Sequence, residues 1–258
     1  MNKQRIIIII TVIIFIIAVA LLFAVNKEEL SDYSIKDESA NIEDAKQYGD
    51  KIVGWLRVEG TNIDLPLVET NNSTNVLRSE YDFAWTNSFP DEKSNHPSFV
   101  SHNIRNVSSN PIIDDDEMSH FEQLMSFIYL DFIEDNQFIE YTNERGETSL
   151  YRIYAVALIE DDQSASYSDT FTKDELDDYI KTSKEVSMYD ISTDVDSDDL
   201  LLSLYTCTRF YGTKEYSFRV DARKLRENEK TTLSRVKSNK NYDKIESRLK
   251  EGEENEEV

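Results

Sequence analysis

Cysteine is nearly absent from this 258-residue chain: it has one, Cys207. That excludes a disulfide framework within the chain, and with only three scattered histidines (His96, His102 and His120) it disfavours a zinc site. Glycine (6) and proline (4) are also scarce, which excludes low-complexity linkers, and no internal repeat is found. Positive charge is in deficit, with 28 Lys and Arg against 51 Asp and Glu and a net charge of −23. A nucleic-acid-binding face needs a surplus of lysine and arginine, so nucleic acid is not a partner, and no surface is made to lie on anionic lipid.

Against this polar background one apolar run stands out. Residues 6–25, IIIIITVIIFIIAVALLFAV, are long enough as a helix to cross a hydrocarbon core, which takes about 20 residues. No small-residue cleavage site precedes Asn26, so the run reads as a retained anchor rather than a secretory signal. Lys3 and Arg5 lie before it and Glu28, Glu29 and Asp32 after it, which keeps residues 1–5 cytoplasmic and puts everything beyond residue 26 outside the plasma membrane. Disulfides are permitted there, yet with one cysteine the chain cannot form a disulfide within itself. Cys207 is either buried and inert or a reactive thiol.

Residues 26–50 are polar and helix-compatible, a stalk or N-terminal helix. Subtracting anchor and tail leaves enough chain for one domain, 51–225. IVGWLRVEGTNIDLPLVET alternates around Gly60, which predicts two strands and a turn. Further strand patterns fall at Ser98 to Val100, Phe127 to Phe132, Phe138 to Thr142, Leu150 to Ile159, Leu200 to Thr206 and Tyr216 to Leu225, with Asn143 to Gly146 as a turn. About eight short strands predict a mainly β fold, a closed or nearly closed barrel. Met118, Phe121, Leu124 and Met125 share a helix face, and His120 lies on the opposite, solvated one. Thr172 and Glu175 form a capping box, with Phe171 and Leu176 as a hydrophobic staple, for a helix over Lys173 to Glu185 just before the cysteine strand. After Leu225 mixed charge predominates, so 226–258 reads as a frayed helix or solvated tail.

A thiolate that attacks a carbonyl needs a group to protonate the leaving amine and a donor for the oxyanion. His96 lies in a polar loop and reads as exposed. His102 follows the strand-like SFV, so like Cys207 it stands at a strand end. Arg209, Arg219 and Arg223 are the candidate donors. Arg219 alternates with Phe218 and Val220, so its fork points away from the apolar face while the sheet holds it. Asp194, Asp196 and Asp198 alternate as in a calcium loop, but no glycine stands at the sixth position and Tyr205 stands where a bidentate glutamate belongs. Asp114 to Glu117 reads as a solvated loop.

SLYTC, residues 203 to 207, resembles the TLxTC signature of sortases. VGWLRVEGTNIDLPLVET is similar to the opening strands of the class B members. FVSHNIRN resembles their histidine segment, the 171–207 stretch their inserted helix before the cysteine strand, and FRVDARKL their arginine-bearing last strand. The resemblance spans about Ile52 to Leu225, and it implies a sortase barrel without a cofactor. It implies Cys207 as nucleophile, His102 as general acid and base, and Arg219 as oxyanion or substrate-positioning donor, with Leu77, Tyr205 and Thr206 lining a groove. The substrate it implies is a surface protein with a C-terminal sorting signal, and the acceptor an amine of a peptidoglycan precursor or of a pilin lysine. Ser101 and Glu69 depart from the family's glycine and glutamine, and the long loop TRFYGTKEYSF leaves Arg209 as an alternative to Arg219.

Overall fold

A computed structural model describes residues 52–69, 84–86, 94–101, 103, 120–160, 170–208, 210–211 and 216–256. The apolar run 6–25, the stalk, Leu77, His102, Asp114 to Glu117 and Arg209 lie outside them. No helix among the described residues is long and apolar enough to cross a membrane.

The alternating stretch around Gly60 folds as expected. Strand β1 (Ile52–Val58) pairs antiparallel with β2 (Asp64–Glu69). Gly60 makes the turn at φ +74°, and a Cβ there would collide with the side chain of Asn136. Gly54 answers a different need. The register slips between Ile52 and Gly54, and a Cβ on Gly54 would strike the Thr142 carbonyl and come within 2.8 Å of the Tyr141 ring. Only glycine lets β1 lie that close to β5 (Phe138–Asn143).

The remaining strands are β3 (Ala84–Thr86), β4 (Ser98–Ser101), β6 (Thr148–Glu160), β7 (Tyr189–Ile191), β8 (Leu201–Thr208), β9 (Tyr216–Lys224) and β10 (Val236–Ser238). Eight of them close into a barrel in the order β1-β2-β3-β4-β8-β9-β6-β5, sealed by the β1–β5 pair. The β2–β3 and β4–β8 pairs are parallel, which demands long crossover connections. Leu56, Leu67, Phe99, Leu204, Phe218 and Val220 are fully buried in the main core, each contributing about 2 kcal/mol by burial.

Helix α1 (Leu130–Asp135) follows a 3₁₀ helix, His120–Ile128. The strand expected over Phe127 to Phe132 is therefore helical. Phe121, Leu124, Met125, Phe127, Ile128 and Ile133 are all fully buried, and a segment buried around most of its girth loses the periodicity that distinguishes helix from strand. Helix α2 (Lys173–Val186) carries the expected capping box of Thr172 and Glu175. It buries Leu176 and Ile180 against Tyr154, Ala155 and Leu201, with Phe171 packed alongside.

The C-terminal segment is ordered rather than frayed. Strand β10 pairs with β7, and helix α3 (Lys240–Glu256) buries Tyr242 and Ile245 and packs Leu249 on the main core. Three apolar residues at spacings of three and four suffice for one helical stripe, though charge dominates the composition around them. The acidic loop before β8 also has a use. Oxygens of Asp194, Asp196 and Asp199 lie 2.8, 3.1 and 2.8 Å from the Arg226 guanidinium, so an internal cation gathers these carboxylates.

Candidate active site

Strand β8 sorts its side chains by parity. Leu202, Leu204 and Thr206 face the barrel interior, whereas Ser203 and Tyr205 face out toward α2 and Cys207 follows on the same outward side. On β9 the outward partners are Asp221 opposite Ser203, Arg219 opposite Tyr205, and Ser217 opposite Cys207. Seven of the eight β8 residues are buried and Cys207 alone is exposed. The thiol is thus the one residue on that strand left open, and the inert, buried alternative does not hold.

Beside it, under α2, lies a dense polar network. Arg219 Nε donates to Asp221 Oδ2 at 2.8 Å, and Nη2 donates to Ser183 Oγ on α2 at 3.0 Å. Ser203 Oγ donates to Asp221 Oδ1 at 2.6 Å, and Tyr179 OH donates to the same oxygen at 2.9 Å. His96 Nε2 stands 2.7 Å from Ser203 Oγ. Ser203 has a single proton and gives it to Asp221, which makes His96 Nε2 the donor in that contact. Burial opposes the charge on Arg219, but Asp221 and the neighbouring tyrosines outweigh it and hold the guanidinium more firmly protonated than usual. Burial, reinforced by Asp221, pushes the Tyr179 hydroxyl well above its ordinary pKa, so it serves as a donor.

This arrangement corrects several sequence expectations. Arg219 holds its sheet position, where it donates to Asp221 and Ser183 and is 5% exposed, beneath α2 rather than open to solvent. Tyr205 is 3% exposed and packs with Ala157, Ile159, Val100 and Val186, while Thr206 is 1% exposed inside the barrel. His96 is fully buried between the rings of Phe171 and Tyr179, at 5.2 and 4.3 Å between centroids, rather than exposed in its loop. Strand β8 also runs past Thr206 to Thr208, so Cys207 is held within the strand instead of in the turn beyond it. Sequence reasoning passed over Asp221, Tyr179, Ser183 and Ser217. The alternation Arg219, Asp221, Arg223 along an apolar strand was the available signal for an outward-facing ion pair.

Strand β4 brings the third element. It runs parallel to β8 with Ser101 opposite Thr206, and Thr206 Oγ1 donates to the Ser101 carbonyl at 2.9 Å. Thr206 therefore fastens the residue before His102 to the residue before Cys207. Among the described residues no group of three or more His, Cys, Asp or Glu is placed to hold a metal ion.

No family model matches the chain. Sortase B of Listeria monocytogenes serovar 1/2a is 24% identical over 187 residues, which cover 67% of this chain and 68% of that protein. The crystal structure of Clostridium perfringens sortase B superposes with a TM-score of 0.58 at 24% identity, over 71% of this chain and 99% of that one. A Staphylococcus aureus sortase B–substrate complex gives a TM-score of 0.58 at 15% identity, over 81% and 92%. The fold is that of the sortase B structures, and the chain resembles them further in carrying one exposed cysteine on the strand that holds SLYTC.

Proposed function

We propose that the chain is a membrane-anchored cysteine transpeptidase that cleaves a C-terminal sorting signal of the NPxTx or LPxTx kind after threonine and joins the threonine carbonyl to an amine outside the cell. The observation that carries this reading is the parallel register of β4 on β8, with Ser101 beside Thr206. His102 follows Ser101 and Cys207 follows Thr206 in the sequence, and Cys207 is exposed.

In this reading the Cys207 thiolate attacks the threonine carbonyl carbon, and the oxyanion that forms collapses to a thioester as the C–N bond breaks. His102, as imidazolium, gives its proton to the departing amine. As imidazole it then takes a proton from the incoming amine, whose attack on the thioester forms the new amide, breaks the C–S bond and returns the Cys207 thiolate beside a protonated His102. Arg219 acts by position, holding α2 to the cysteine strand through Ser183 and Asp221. The direct guanidinium donor in this scheme is Arg209, two residues after the nucleophile. Residues 6–25 anchor the enzyme with its N-terminus in the cytoplasm, so enzyme and membrane-held substrate share one surface and meet at a raised effective concentration.

The acceptor in this reading is a peptidoglycan-precursor amine. The test supplies the full chain with a sorting-signal peptide and either a peptidoglycan-type amine or a lysine amine. A ligated product ending in threonine joined to the first amine supports it, preferential joining to lysine points to pilin assembly, and no product with any motif reduces the chain to a binding domain.

A further inference from the structure

We infer that Arg248 on α3 is a positioning residue for the chain connection that leaves Cys207, which makes the C-terminal helix part of the site. This rests on the reading of Cys207 as the nucleophile. Arg248 Nε donates to the Phe210 carbonyl at 2.6 Å, and its guanidinium carbon sits 5.7 Å from the Phe210 ring centroid and 5.9 Å from that of Tyr211. The two rings meet edge to face at 5.1 Å, and Tyr211 packs on Tyr216 at 4.9 Å. Tyr216 pairs with Thr208, the residue after Cys207, and Ser217 with Cys207 itself. A continuous train of contacts thus joins α3 to both strands at the thiol.

The helix end of this train is seated independently of it. Tyr242 and Ile245 are buried, Leu249 packs on the core, and the Tyr242 ring lies 5.3 Å from that of Tyr189. Phe210 is 8% exposed, whereas Arg248 stands on the solvent side of α3. The guanidinium is therefore a clasp laid over the connection from outside, and removing it leaves the core intact. Its planar fork suits the task, because one N–H serves the carbonyl while the flat face covers the rings.

The test compares the full chain with Arg248→Ala and Arg248→Lys by hydrogen exchange over residues 208–217, by alkylation rate of Cys207, by melting temperature, and by kcat and KM on a sorting-signal peptide. Arg248→Ala is expected to melt as the wild type does, to exchange faster in 208–217, to alkylate several-fold faster, and to lose about tenfold in kcat, the scale of one charge-assisted hydrogen bond. Arg248→Lys keeps the charge over the rings without the directed N–H and should fall between. Wild-type exchange and alkylation in Arg248→Ala would overturn the inference. Should that variant melt early, wild-type exchange in Arg248→Lys would overturn it instead. Both measurements stand without turnover, so a chain inactive on every peptide would sink the proposed function and leave this inference to be decided on its own.

Discussion

At the scale of single residues, the two arginines near Cys207 have separable signatures. Arg219 is a buried cation neutralised by Asp221, and breaking such a pair by removing one partner costs about 3 to 5 kcal/mol. Asp221→Ala should therefore lower the melting temperature sharply, and Arg219→Lys should lower stability and turnover together, since an ammonium cannot serve Asp221 and Ser183 at once. Arg209→Lys should instead reduce kcat with the melting temperature unchanged. The opposite pattern, a kcat loss at unchanged stability for Arg219→Lys alone, would return the direct role to Arg219. These roles were only partly legible in the sequence. Alternation placed Arg219 on the outward face, but its partner Ser183 lies 36 residues away. Likewise buried His96 hydrogen-bonds Ser203, 107 residues further on, and no local pattern announces such a contact.

At the scale of elements, turns, alternation and caps were legible where the local signal was distinct, and Phe127 to Phe132, buried on most sides, was misread as a strand. The β1–β2 and β5–β6 hairpins and the cap of α2 follow from turn glycines, alternation and one capping box, all written within a few residues. Strands β3, β7 and β10 span three residues each, too short for a period to register. The β1–β5 seam depends on Gly54, and Gly54→Ala should destabilise by about 1 to 3 kcal/mol through overpacking against Thr142 and Tyr141, measured as a lower denaturant midpoint. At the far end of β9, about 20 Å from Cys207 by strand rise, Glu229 binds Arg223 and Arg152. Burial alone would raise its pKa, but hydrogen bonds from Arg223 and the Arg226 backbone prevail and bring it to about 2 from an ordinary 4.5. A folded-state pKa below the unfolded one means stability that is complete above pH 4.5 and lost as pH falls toward about 2. Glu229→Gln should thus melt below the wild type at neutral pH, with the two melting curves converging as acid is added.

For the whole molecule, the sequence resemblance and the barrel agree on the architecture, while part of the segment read as a frayed helix or solvated tail, Val236 to Glu256, folds onto the domain through β10 and α3. Charge composition concealed this, because the stripe of Tyr242, Ile245 and Leu249 is narrow. The central claim is that Cys207 is an acyl carrier. Its most direct test is intact-protein mass spectrometry of the full chain mixed with a sorting-signal peptide and no amine acceptor. The account predicts a mass gain equal to the peptide fragment ending in threonine, mapped to Cys207, released by hydroxylamine and absent from Cys207→Ala. An unmodified thiol across a panel of NPxTx and LPxTx peptides, or an adduct that survives Cys207→Ala, would contradict it.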